Sequence, residues 1–114
     1  MLLFKPEHVQ SIKNGVKTQT RRAWKKPRCK VGSIHQAKTV MLSKEYFAKL
    51  RILRVWEESL MSVLYISEKN AIAEGGYTPQ SYYEKFYEIN PKLRKLSNAE
   101  KATYKIYAVE FELA

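Results

Sequence analysis

The sequence predicts an α+β fold: a small, curled, mixed β-sheet or partial barrel of about five or six strands, flanked by about three short helices. Three observations lead there. Strand-like alternation recurs in short segments along the chain, with helix signals interspersed between them. The longest of these strands slips its phase by one residue, the mark of a β-bulge or of a strand bending round a barrel corner. The 114 residues are 45% hydrophobic and 28% charged, a globular composition that suits one domain (1–114) able to bury a core without staples.

The elements follow in order. Leu2-Leu3-Phe4 is a short apolar strand stopped by Pro6. Pro6 suits the first turn of a helix, Glu7 is favourable near its positive end, and Val9, Ile12 and Lys13 continue at helical spacing. Asn14-Gly15 closes that helix, because both residues tolerate positive φ. Thr18 to Arg22 reads as a short strand, and Ala23 to Gly32 as an exposed basic loop. Ser33 to Leu42 is a strand with Ile34, Val40 and Leu42 at its apolar positions. In Phe47 to Trp56, Ala48, Leu50 and Ile52 alternate with Lys49 and Arg51 until Leu53 and Val55 break the phase. Ser67 caps a helix of about two turns that ends at Gly75-Gly76. Thr78-Pro79 starts another, with Tyr82, Tyr83, Phe86 and Tyr87 as a core-facing stripe and Asn90-Pro91 as its stop. Lys92 to Thr103 is polar without a period and reads as a loop. Tyr104 to Leu113 is the last strand, with Tyr107, Val109, Phe111 and Leu113 on one face.

Charge is the feature that points to function. From Met1 to Lys38 ten Lys or Arg stand against one acid, Glu7, whereas from Thr39 to Ala114 eleven stand against ten. The first third therefore carries nearly all of the net charge of +10. Clustered Lys and Arg favour a polyanionic partner, with nucleic acid the first candidate. The single cysteine, Cys29, excludes an intrachain disulfide, which fits a reducing, cytoplasmic setting. Met1-Leu-Leu-Phe4 is too short for a signal-peptide core, and no apolar run suits a membrane span. His8 and His35 lack partners at metal-ligand spacing, so neither a metal nor another cofactor is expected.

Within the basic third, Lys17-Thr-Gln-Thr-Arg-Arg22 places donors where the first helix hands over to a strand. In a strand Lys17, Gln19 and Arg21 project to one face and Thr18, Thr20 and Arg22 to the other. A buried sheet interior does not accept both faces without partners, so at least one lines a groove. The competing reading is an edge strand blunted by charge against aggregation. Beyond it, Lys25, Lys26, Arg28 and Lys30 flank Trp24; the cations suit phosphates, and the indole could stack on a base or pack on the barrel, the commoner fate of Trp. Cys29, between two cations, is incidental without a histidine partner. Tyr77, just after Gly75-Gly76, is placed to reach the same groove.

These residues resemble the ASCH domain family, a branch of the PUA-like superfamily. The resemblance lies in Gly15-x-Lys17-x-x-x-x-Arg22 after the first helix, in the short apolar strand before it, in Ala73-Glu74-Gly75-Gly76-Tyr77, and in the closing strand Tyr107-Ala-Val-Glu-Phe-Glu-Leu113; it spans essentially the whole chain. It implies a small β-barrel with flanking helices whose cleft binds RNA, single-stranded or structured, or a modified cytidine nucleoside. Combined with the charge reading above, the expected RNA contacts are Lys17, Arg21, Arg22, Trp24, Lys25, Lys26, Arg28, Lys30 and Tyr77. One subfamily looks like amidohydrolases that remove acetyl from N4-acetylcytidine with Lys, Thr and Glu, and those types stand here as Lys17, Thr20 and Glu74. Other members resemble ribonucleases. In such chemistry Thr20 would attack the acetyl carbonyl, Lys17 would take its proton if held partly neutral, Glu74 would orient Lys17 or relay a proton, and Arg22 would stabilise the oxyanion. Glu74 falls in the last turn of its helix, where a carboxylate is disfavoured by about 0.3–1 kcal/mol unless a cation pairs with it. The family pattern favours a Glu74 held against Lys17 or an arginine.

Three functions remain in order of support: an RNA-binding module in RNA processing, modification or translation; a metal-independent hydrolase of the same fold; and a basic protein that docks on an acidic partner with an inert cleft.

Overall fold

The computed structural model describes all 114 residues, as five strands and six short helices. Strands β1 (Leu2–Leu3), β2 (Gln19–Arg22), β3 (Ile34–Lys38), β4 (Ala48–Ser59) and β5 (Lys105–Leu113) form one mixed sheet in the order β1-β3-β4-β5-β2. β1 pairs with β3 in parallel and the other three pairings are antiparallel. The sheet curls. Phe4 follows β1 at one edge and Arg22 ends β2 at the other, yet the Arg22 guanidinium lies 4.8 Å from the centre of the Phe4 ring.

The bulge expected in the long strand falls at Leu53: Ile52 pairs with Phe111 and Arg54 with Glu110, leaving Leu53 without a partner and exposed. Two cores result. Leu2, Phe4, Ile12, Leu50, Ile52, Val109 and Phe111 fill the curl of the sheet. Leu60, Val63, Ile66, Ala71, Tyr82, Phe86, Tyr87 and Ile106 form the second, between the helices and the sheet. Burying a large apolar side chain in either contributes about 1.5–3 kcal/mol.

Helix α1 (Val9–Lys13) continues a 3-10 turn, Pro6–His8, and ends at Asn14 with Gly15 at φ 79°. Helix α2 (Met61–Leu64) follows β4 directly. Ser67 caps α3 (Glu68–Ala73), and Thr78 caps α4 (Pro79–Ile89) in a reciprocal bond pair with Ser81. The tyrosine-phenylalanine stripe of α4 is core, as its spacing predicts.

Several expectations need correction. The region 92–103 is not a loop: α5 (Pro91–Arg94) and α6 (Asn98–Thr103) occupy it, and the helices number six rather than three. Ser97 and Glu100 cap α6 reciprocally, so the starting signal was present in a segment too polar to show an apolar period. In β3 the buried residue is Ala37; Ile34, Val40 and Leu42 are exposed, and Leu42, at φ 66°, lies in the turn after the strand has ended. In β5, Val109 and Phe111 face the first core while Ile106 serves the second, and Leu113 is exposed. A strand flanked by two cores cannot show a single alternation.

Candidate functional site

The site is assembled by one backbone bond. Thr18 N–H donates to the carbonyl of Ala73 at 2.8 Å, tying the turn before β2 to the last turn of α3. The chain neighbours of these two residues, Lys17 and Glu74, are thereby brought together. Lys17 Nζ donates to the carbonyl of Glu74 at 2.5 Å and to that of Gln19 at 2.9 Å, and stands 3.8 Å from Glu74 Oε1. Both residues are buried, at 3% and 2% exposure. Glu74 has the cation partners that its position at a helix C-terminus demands.

Arg21 completes the cluster. Its Nη1 donates to Glu74 Oε2 at 2.8 Å, and its backbone N–H to Oε1 at 3.3 Å. Its Nε and Nη2 donate to the two oxygens of Glu58, each at 3.1 Å. Glu58 also accepts from Trp56 Nε1 at 2.6 Å. Thr20 Oγ1 accepts from Arg22 Nε at 2.8 Å. β2 is an edge strand paired only with β5, but Gln19, Thr20 and Arg21 on it are buried, as is Lys17 just before it, and Arg22 at its end is half-buried. Burial with bonded partners, rather than edge protection, explains a charged strand of this kind.

The electrostatics follow from the count of charges. Lys17, Arg21 and Arg22 face only Glu74 and Glu58, so the cluster carries a surplus positive charge. Burial, then Arg22 and Arg21, pulls the Lys17 ammonium down to about 8, against the opposing field of Glu74. Burial works against Arg21 too, but its bonds to Glu58 and the field of Glu74 more than offset it, and its pKa is raised. The Glu58 carboxyl is pushed up by burial, yet the Arg21 bonds win and hold it below the usual range.

Lys17, Arg21, Arg22 and Glu74 line a cleft of about 510 Å³, within the range of ligand sites, and Glu58 stands behind Arg21 outside it. Of the residues predicted from sequence, Lys17, Thr20, Arg21, Arg22, Trp24, Glu74 and Tyr77 all line it. Lys25, Lys26, Arg28 and Lys30 do not; they are exposed on the loop that leaves the cleft at Trp24. Trp24 is half-buried against the first core while lining the cleft, and the Arg28 guanidinium lies 5.8 Å from its ring centre. Cys29 is buried, and burial pushes its thiol up. No hydrogen bond joins Lys17 to Thr20.

Three site residues escaped the sequence reading. His8 and Tyr82 line the cleft, and Glu58 anchors Arg21. Trp56 and Glu58 share a strand face by simple alternation, so the Glu58 position was legible. Tyr82 was visible only as core. Nothing in the local sequence marked His8.

In sequence, neither known family models nor curated proteins match the chain. Solved structures do match in shape. Protein EF3133 from Enterococcus faecalis V583 has a TM-score of 0.66 at 18% identity, covering all of this chain and 76% of its own. The ASCH domain from Lactobacillus crispatus JV V101 has a TM-score of 0.61 at 14% identity, over 93% of this chain and 69% of its own. The ASCH protein from Zymomonas mobilis has a TM-score of 0.60 at 14% identity, over 98% of this chain and 67% of its own. No helix is long and apolar enough to cross a membrane. This chain has the ASCH-domain fold.

Proposed function

We propose that this chain binds RNA, seating a nucleotide in the cleft and running the phosphate backbone along the loop that follows β2. One observation carries the reading. The cation surplus at buried Lys17 and Arg21 and half-buried Arg22 leads, through Trp24 at the rim, to the exposed Lys25, Lys26, Arg28 and Lys30. A buried surplus positive charge favours an anionic or electron-rich ligand, and exposed cations beside it suit a polymer of phosphates. The resemblance of the motif residues to ASCH domains points the same way. Titrating a short single-stranded RNA at several salt concentrations tests it. Four to six phosphate contacts give a log–log slope near −3 to −4, at about 0.7 per contact. A slope near zero, or no binding, removes the reading.

A second reading, amidohydrolysis of N4-acetylcytidine, is favoured by the burial of Lys17 beside Glu74 and Thr20 in one cleft. With its pKa near 8, Lys17 has a free amine in roughly a tenth of molecules at pH 7. Thr20 Oγ1 would form a bond to the acetyl carbon and pass its proton to that amine. The bond to N4 would then break with a proton delivered to the leaving nitrogen, and water would release acetate from Thr20. The resting geometry argues against it, because Thr20 Oγ1 is bonded to Arg22 and not to Lys17. Incubation with N4-acetylcytidine decides: cytidine release that is lost in Thr20→Ala supports it, and none from the wild type removes it.

A further inference from the structure

The cleft contains a second polar pair that the charged cluster does not use. His8 Nε2 lies 2.7 Å from the Tyr77 hydroxyl, and both side chains line the cleft. Their rings meet edge to face with centres 6.0 Å apart. The pair joins residues 69 apart in the chain, and the fold makes room for it at Gly75. A Cβ on Gly75, whose φ is +147°, would stand 2.9 Å from Tyr77 Cε2 and 3.6 Å from His8 Cδ2. Only glycine lets the Tyr77 ring fold back onto the histidine.

Proton accounting shows what the pair offers. One proton lies between Nε2 and the phenol oxygen. If Tyr77 donates it, His8 keeps a proton on Nδ1 and the phenol oxygen keeps a lone pair. If His8 donates it, Tyr77 keeps its O–H and Nδ1 is an acceptor. Either way one donor and one acceptor remain, and no other protein side chain engages them. His8 Nδ1, which has no protein partner, is not sealed away from solvent. Burial first, then Lys17, with Lys85 and Arg22 adding and Glu7 opposing, holds the His8 imidazole down to about 4. The pair is therefore uncharged near neutrality, beside a cluster that carries surplus positive charge.

We infer that His8 and Tyr77 together read the uncharged hydrogen-bonding edge of a nucleobase, while the Lys17–Arg22 cluster holds the anionic part of the same nucleotide. The inference rests on the nucleotide-binding reading above and adds the specificity element. A donor beside an acceptor matches the base edges that distinguish nucleotides from bare sugar phosphate. Ribose 5-phosphate lacks that edge and should bind through the cations alone.

The test compares the four ribonucleoside 5′-monophosphates with ribose 5-phosphate on the full chain. Tyr77→Phe should weaken the best-bound nucleotide about five- to tenfold, a neutral hydrogen bond's worth, narrow the spread among the four, and leave ribose 5-phosphate unchanged. Equal loss for nucleotide and sugar phosphate, or no loss, overturns the inference. Should the variant unfold, the wild type still decides: His8 ring NMR signals should shift on adding the best nucleotide and stay still with ribose 5-phosphate. Nucleotide or oligonucleotide binding with silent His8 signals overturns the base-reading role alone. A wild type that binds neither nucleotide nor RNA overturns both readings.

Discussion

Arg21 and Glu58 sit on strands that are not neighbours, yet they form a two-point ion pair, with both contacts at 3.1 Å. β5 runs between them, and the residue opposite Arg21 there is Ala108, which in turn faces Trp56. The small side chain of Ala108, fully buried, lets the guanidinium pass over the strand. Ala108→Leu should therefore cost about 1–3 kcal/mol of stability by overpacking. It should also loosen Arg21 from Glu58, read as a change in the fluorescence of Trp56, whose indole shares that carboxylate. A variant as stable as the wild type would show that the passage is not tight.

Glu74 is the carboxylate common to Lys17 and Arg21. Glu74→Gln preserves the shape and deletes the charge, leaving Lys17 buried without an anion. Removing one partner of a buried pair costs about 3–5 kcal/mol. For a chain of this size the melting temperature should fall by on the order of 10 °C or more. Thermal unfolding checks it, and a fall of only a degree or two would mean that water reaches the cluster.

The Lys17 ammonium titrates at about 8 in the fold against 10.5 for an ordinary lysine. Between those values the unfolded chain binds more protons than the folded one, so the Lys17 contribution to stability rises with pH from 8 to 10.5 and is lost as pH falls through 8. Lys17→Met removes the titration. The wild-type stability minus that of Lys17→Met should climb by a few kcal/mol across the window in urea unfolding. A flat difference would place the lysine in contact with solvent.

Gly75→Ala meets two obstacles, a positive φ and a 2.9 Å approach to the Tyr77 ring. A loss of about 1–3 kcal/mol is expected, along with a shift of the His8 ring signals as Tyr77 is pushed away. Unchanged signals would mean that Tyr77 turns aside without disturbing the histidine.

Replacing Lys25, Lys26, Arg28 and Lys30 with Gln should reduce the salt slope for single-stranded RNA by as much as about 3. Each is exposed, so the melting temperature should barely move. A slope that stays the same assigns the phosphates to other cations.

By itself the sequence was enough for the fold class, the two helix starts at Ser67 and Thr78, the bulge near Leu53 and the charged turn at Lys17, because each rests on a local rule of backbone geometry or periodicity. It also suggested that Glu74 needs a cation, since a helix C-terminus repels a carboxylate whatever surrounds it. Only the tertiary structure decided which cation. The Thr18–Ala73 bond brings Lys17 and Arg21 to that carboxylate, while Arg22 Nε bonds Thr20 in its own strand. The same holds for β5, whose two faces serve different cores, and for His8, whose partner Tyr77 lies 69 residues away. Burial and proximity between distant segments are properties of packing, and packing leaves no periodic trace in the chain that creates it.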